Sequence, residues 1–238
     1  MRMKLPLGEI LTVLVIVALG LANLALYTGV LDGFDPVHAG RVPTLPSGNA
    51  PSDASTPEEA ALDNSSERPG VYVPSQGIRH TEAWPLDERV EFCEGDVSDD
   101  CYASNPPSSG LHLPVTQDLE LPSGDVVDVP PDPGIYSFEI PREAIPHIEE
   151  HAGVFVGYHC ASDACEQIAE DLALVVEGLL DEGKRVVMAP DSDLAEDTIG
   201  LASWTRVDVM SLAEYSRQRV SDFVEAHSCR YDPERFCD

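Results

Sequence analysis

Lysine is almost absent. Lys4 and Lys184 are the two in 238 residues, and the remaining basic side chains are arginines. Against 14 Lys+Arg stand 43 Asp+Glu, for a formal net charge of −29. A chain with so little positive charge has nothing to neutralise a phosphate backbone, which argues against nucleic acid as a partner. Anionic lipid headgroups should repel it too, except where a hydrophobic segment holds it. The sequence also lacks a Gly-rich phosphate loop and a serine nucleophile elbow. Asp191-Ser192-Asp193 with Glu196-Asp197 is acidic, but it lacks the glycine and final glutamate of an EF-hand loop and reads as a solvated turn. Much of the 43% hydrophobic content sits in one N-terminal block, so the composition allows one globular core of modest size.

That block is the one long hydrophobic run. From Ile10 to Leu26 the chain is Leu, Val, Ile and Ala, broken by Thr12, Gly20 and Asn23. Extended to residue 31, it is long enough to cross roughly 30 Å of hydrocarbon as a helix. Arg2 and Lys4 precede it, while Asp32 and Asp35 follow. The positive-inside rule then makes residues 1–9 cytoplasmic, residues 10–31 a transmembrane signal anchor, and the rest extracytoplasmic. A cleaved signal peptide is the competing reading. Its apolar region is usually shorter, and the small-residue sites here lie inside apolar sequence. Residues 32–67, rich in Pro, Ser, Asp and Glu, read as a disordered tether that cannot bury enough surface to offset the entropy of ordering. Residues 68–238 form the extracytoplasmic domain. The bilayer is the partner that residues 10–31 imply, which makes the expected location the cell membrane, single-pass.

Six cysteines fall into sequence-local pairs: Cys93 with Cys101, Cys160 with Cys165, and Cys229 with Cys237. An even count outside the cytoplasm suggests disulfides, and near-neighbour pairing is the simplest of the possible connectivities. The last bridge would pin the C-terminal tail. Cys160-Ala-Ser-Asp-Ala-Cys165 follows a strand and opens a helix, as redox pairs do. Its spacing is too long for that motif, however, and Asp163 and Glu166 would raise a thiol pKa.

The apolar run 154–159 reads as a buried strand. Ile168, Leu172, Val175, Val176, Leu179 and Leu180 recur at helical spacing up to Gly183. Residues 185–190 form a second strand stopped by proline, and residues 198–207 a third. Ser211 with Glu214 resembles a capping box, which starts a helix running to His227. The expected class is α+β, a small mixed sheet in βαββα order packed by two helices, preceded by a Pro-rich irregular segment and the N-terminal transmembrane helix.

Several stretches resemble a bacterial family, the domain-of-unknown-function family 3105. Asn105-Pro106-Pro107-Ser108-Ser109-Gly110-Leu111-His112 is similar to its NPPTSGPH signature. His147-Ile148-Glu149-Glu150-His151-Ala152-Gly153-Val154 resembles its H-x-x-E-H-G-x-V segment. Ala189-Pro190 with Ile199 to Trp204 resembles its AP…IALTAWG stretch, and Gln76 to His80 its G-x-x-H entry. The likeness spans roughly residues 70–235. Leu111 stands in place of a proline, and Ala152 and Thr205 each stand in place of a glycine. The resemblance implies a membrane-anchored or secreted protein and carries no established activity.

The matched segments hold His80, His112, His147 and His151, with Glu150 beside the last. On a helix over 142–151, His147 and His151 share a face. Imidazoles suit Zn²⁺, Cu²⁺, Fe and Ni, and the acidic surroundings would attract a cation. A cofactor such as zinc or copper is therefore one expectation. A hydrogen-bonded structural cluster and acid–base catalysis are the other uses of these residues. His147-x-x-Glu150-His151 formally matches the inverted zinc-protease motif, but Pro146 and Gly153 leave too short a helix for that scaffold. Three functional classes stand open: a domain that binds a transition metal or small ligand, an enzyme (metal-dependent hydrolase or thiol oxidoreductase), and a metal-free interaction module.

The charge excess gives a first prediction. Self-repulsion at −29 is screened within about 10 Å at 0.1 M salt. The melting temperature should rise from low to molar salt in a calorimetric series; a flat or falling trend contradicts it.

Overall fold

The computed structural model describes residues 57–80 and 102–237. Along the chain these form α1 (Pro57–Ala60), β1 (Val71–Tyr72), β2 (Ile78–His80), β3 (Gly110–His112), β4 (Thr116–Glu120), β5 (Val126–Val129) and β6 (Gly134–Ile135). A 3₁₀ turn over Arg142–Ala144 then leads into α2 (Ile145–Glu150) and β7 (Val154–His159). The remainder is α3 (Asp163–Asp181), β8 (Val186–Pro190), β9 (Thr198–Ser203), β10 (Arg206–Ser211) and α4 (Arg217–His227).

The fold is a mixed α+β one. Six strands pair in the order β1-β10-β9-β7-β8-β6. β7 runs parallel to β8 and antiparallel to β9. β2 and β3 form a separate parallel pair, and β4 and β5 an antiparallel hairpin. The expected βαββα order lacks one break. The third strand, expected over 198–207, turns at Trp204-Thr205 and returns as β10, with Arg206 opposite Ser203. Thr205 occupies the left-handed region at φ 62°. Its N–H donates to Ser108 O at 2.9 Å and its carbonyl accepts from Val73 N at 3.0 Å, so tertiary hydrogen bonds hold a turn that Trp-Thr would not choose alone.

Alternation along β7 assigns the two faces. Val154 and Val156 pack with Leu172, Val176 and Leu179 of α3 and Val220, Phe223 and Val224 of α4. Phe155 faces the other way, against Ile145 and Ile148 of α2 with Val187, Ala189 and Ala202. Two helices therefore cover one face, as expected, while α2 and the irregular segment 102–140 cover the other. On that second face Gly157 lies opposite Gly200. A Cβ on Gly200 would lie 2.7 Å from Pro106 Cδ, so the Asn105-Pro106 turn sits directly on the sheet backbone.

The caps explain the helix limits. Ser162 accepts from Cys165 N at 3.3 Å, with Asp163 and Glu166 in the first turn of α3. Ser211 and Glu214 do bond to one another, Glu214 Oε2 accepting from Ser211 N at 2.9 Å. That pair closes the end of β10 instead of starting a helix. α4 begins later, where Ser216 accepts from Arg219 N.

One boundary shifts. Residues 57–67 were expected in the tether but are ordered on the domain. Glu59 is buried and accepts from Trp204 Nε1 at 2.9 Å. Trp204 stacks on Tyr231 with centroids 4.7 Å apart, and buried Arg206 donates to Ser65 O and Gly70 O. Arg206 thus saturates backbone that would otherwise be solvated, and Trp204 gives the buried Glu59 carboxylate a donor. The expected anchor 10–31, the rest of the tether and the Cys93–Cys101 pair lie outside the described residues. Among the described residues no helix is long and apolar enough to cross a membrane. Cys160–Cys165 and Cys229–Cys237 are disulfides.

α2 ends in a Schellman motif: Gly153 N donates to Ile148 O at 2.9 Å, and Ala152 takes φ 65°. A left-handed alanine is strained where glycine is not. Ala152→Gly should therefore raise the unfolding free energy by roughly 0.5–1 kcal/mol in urea titration.

Candidate metal centre

The site forms where three backbone segments meet. β2 and β3 pair in register with His80 opposite His112, which places both rings on one side of the ribbon. The chain leaves β3 towards the 3₁₀ turn, where Leu113 N donates to Glu143 O at 2.9 Å. This brings α2 alongside and sets His147 beside the pair. The ring centroids of His80 and His112 are 4.4 Å apart, those of His112 and His147 5.1 Å, and those of His80 and His147 5.5 Å. One ligand nitrogen from each of the three can be chosen so that all lie within 4.8 Å of one another.

Backbone carbonyls decide which nitrogens face inward. His112 Nδ1 lies 2.8 Å from Gly110 O, and His147 Nδ1 2.7 Å from Leu113 O. Each Nδ1 therefore carries the proton and donates it, which leaves a lone pair on each Nε2; that of His147 meets His151 Nε2, while that of His112 has no hydrogen-bond partner. His112 is fully buried, and its Nε2 makes no hydrogen bond. Glu150 Oε2 stands 2.9 Å away without the alignment of one, and is likewise buried without a hydrogen bond. The same oxygen is 3.8 Å from His80 Nε2. A buried imidazole nitrogen and a buried carboxylate oxygen 2.9 Å apart, neither hydrogen-bonded, are compatible with the donor set of a divalent metal.

His151 joins at the edge. Its Nε2 is 3.1 Å from His147 Nε2 and 3.4 Å from Glu234 Oε2. The structure thus brings together all five candidates, His80, His112, His147, His151 and Glu150. His80, His112 and His147 form the mutually close group, while His151 is reached through His147. His80 is the exposed member, with 47% of its side chain open to solvent.

Burial and neighbouring rings keep His80, His147 and His151 neutral. Desolvation, then the neighbouring His112 and His151, push His147 down to about 3. Burial first, then His112, lowers His80. His151 is lowered by burial against the pull of Glu234 and Glu150. Burial pulls Glu150 upward, but the facing His112, with His147 and His80 behind it, outweighs this and holds its carboxyl below the ordinary range. The cluster therefore offers neutral rings at His80, His147 and His151 and an ionised Glu150 at neutral pH, a protonation state that suits a metal ion.

Sequence reasoning missed Glu149 and Glu234. Glu149 is fully buried, and desolvation raises its carboxyl well above the ordinary range against the opposing charge of Arg230. The charge that acts on it is that of Arg230, and nothing in its spacing distinguishes it from Glu150. Glu234 comes from the C-terminal tail; the Cys229–Cys237 pair was the available signal that this tail is held in place.

With the geometry in hand, comparison with known proteins gives one match. Residues 98–237 match the family described as a protein of unknown function, DUF3105. The chain belongs to this family. The matched stretch includes His112, His147, Glu150 and His151, while His80 lies before it. No curated protein and no solved structure matches the chain. Ala152 and Thr205, which stand in place of a glycine in the motifs the sequence resembles, both take positive φ, where glycine is favoured.

The low value of His147 has a measurable consequence. Its folded value, about 3, lies below the ordinary 6.5, so the unfolded chain takes up the proton first. The neutral ring's contribution to stability is complete above 6.5 and is lost as pH falls towards 3. In NMR titration of metal-free protein, the His147 ring should show no protonation step between about pH 8 and pH 4.

Proposed function

We propose that this DUF3105 protein is a membrane-tethered extracytoplasmic domain that binds a transition-metal ion, zinc or copper, through His80, His112 and His147. The observation that carries the reading is His112 Nε2: fully buried, without a hydrogen bond, and held by its Nδ1 bond to Gly110 O in the tautomer that presents a lone pair to the other two rings. Glu150 supplies negative charge beside the ligands, and His151 is a further nitrogen within reach of His147. Nitrogen donors favour zinc and copper over calcium and magnesium, which take oxygen. His80 is the side open to solvent, so an ion held by three imidazoles would have a position there for water or an incoming ligand. Arg2, Lys4 and the apolar block 10–31 support the tether and its orientation.

The test uses the full chain. It should be recovered in the membrane fraction at its full mass, and a soluble form beginning near residue 22 overturns the tether. After detergent extraction it should bind one equivalent of Zn²⁺ or Cu²⁺, and no Ca²⁺, by metal analysis after gel filtration. His112→Ala and His147→Ala should each weaken zinc by about 100-fold or more, since losing a ligand exceeds the roughly 10–100-fold cost of losing an outer partner. Wild-type protein without bound metal under these conditions removes the reading.

A further inference from the structure

The C-terminal segment 229–237 is a small loop closed by the Cys229–Cys237 disulfide, and it lies against His151. The Phe236 ring stacks on the His151 imidazole, with centroids 4.4 Å apart and 27° between planes. Glu234 Oε2 is 3.4 Å from His151 Nε2, on the side facing His147 Nε2. The Arg185 guanidinium covers the Phe236 ring at 4.9 Å.

The loop and the end of α2 share their anchors. Arg185 Nε donates to His151 O at 2.8 Å, and Arg185 N donates to Ser228 Oγ at 3.0 Å. Cys229 N donates to Ala152 O at 2.9 Å. Inside the loop, Phe236 N and Cys237 N donate to the two carboxylate oxygens of Asp232 at 2.8 and 2.9 Å. Phe236 is nevertheless 44% exposed and the Glu234 side chain 52% exposed. Burial alone therefore does not fix these two residues. An aromatic ring and a carboxylate at a chain end keep one orientation only if the backbone that carries them is constrained, and the disulfide supplies the constraint.

We propose that this disulfide-closed strap is the outer wall of the histidine site, in which Glu234 and Phe236 are positioning residues for His151 and, through it, for His147. Closure of the loop then sets how firmly the site holds a metal ion. The ring of His151 can rotate about its side-chain bonds. Phe236 fixes its plane, and the Glu234 carboxylate fixes which edge carries Nε2. His151 Nε2 in turn meets His147 Nε2, so a rotated His151 would leave one of the proposed ligands without its neighbour. Glu234 also places its charge within reach of His80, on the solvent side of the group. The affinity part rests on the metal reading above, while the covering of His151 does not.

The experiment compares the full chain with the Cys229→Ser/Cys237→Ser double variant, Phe236→Ala, Glu234→Gln and Phe236→Tyr. In metal-free protein, the rate of His151 acylation by diethyl pyrocarbonate is followed by peptide mass spectrometry, with buried His227 as the control for an intact core. In the same proteins, zinc affinity is measured by competition with a chromogenic chelator. The double serine variant and Phe236→Ala should acylate His151 about tenfold faster, with His227 unchanged and zinc held about tenfold more weakly, at the lower end of the outer-partner range. Glu234→Gln should weaken zinc in the same direction, and Phe236→Tyr should keep wild-type values. Unchanged His151 acylation in both the double variant and Phe236→Ala overturns the strap, as does equal zinc affinity across all the proteins. Faster acylation with no zinc bound by any protein, wild type included, upholds the strap as the cover of His151 and removes the metal reading instead.

Discussion

Nothing larger than hydrogen fits at Gly200, and the histidine site depends on that absence. Pro106 rests against the sheet backbone there, 2.7 Å from where a Cβ would stand. The contact fixes the height of the Asn105-Pro106 turn above β9. Asn105 Nδ2 then donates to Asp193 O at 2.6 Å, and its Oδ1 accepts from Arg142 Nη1 at 3.0 Å. The turn is thereby tied to the loop after β8 and to the 3₁₀ turn before α2. From this seat the chain runs through Ser108, whose carbonyl accepts from Thr205 N, into β3 and His112. A side chain at residue 200 would lift the turn, and β3 with it, away from α2. The distance between His112 and His147 follows from packing on a glycine far from either ring.

The electrostatics of the site run against those of the chain. The protein carries −29, yet the centre of the domain's second face holds His80, His147 and His151 below their ordinary pKa. Protonating one of them would cost desolvation and bring it against its neighbours, which is why His147 sits near 3 despite the acidic exterior. The one carboxylate among them, Glu150, is held ionised by the same rings that its charge would otherwise help to protonate. A buried negative charge beside nitrogen donors is left with an incomplete balance, which the proposed divalent cation would complete. The long-range negative field serves the same end by concentrating cations near the surface.

How much of this was legible in the sequence depends on the length of each element. α3 and β7 could be read because nineteen and six residues give periodicity room to show. The Trp204-Thr205 turn could not, because neither residue is a turn former and the turn is held by Ser108, Val73 and Asn64 from distant segments. β1, β2 and β3 are two or three residues each, too short for any pattern, and exist because tertiary contacts align them. The ordering of residues 57–67 was hidden for a different reason. Its composition is that of a tether, and the residues that fix it, Trp204, Arg206 and Arg230, lie well over a hundred positions away. The ligand candidates were legible through the family motifs and the i, i+4 spacing on α2. Their tautomers were not, since those follow from Gly110 O and Leu113 O.

The site also shows why its supports are carbonyls and a disulfide instead of a larger core. Below the sheet, α3 and α4 pack an ordinary apolar layer. Above it, the segment from 102 to 140 has short strands and a hairpin, and Leu113, Val129 and Ile140 from it join the second apolar layer. Apolar packing is non-directional and would leave imidazoles free to turn. Hydrogen bonds from Nδ1 to fixed carbonyls are directional, so two of them orient His112 and His147 where hydrophobic contact could not. Among the described residues His151 has no such carbonyl and is oriented by Phe236 and Glu234 on a covalently closed loop. Directional bonds to fixed carbonyls hold His112 and His147, and a covalently closed loop holds His151, whose ring such a carbonyl does not orient.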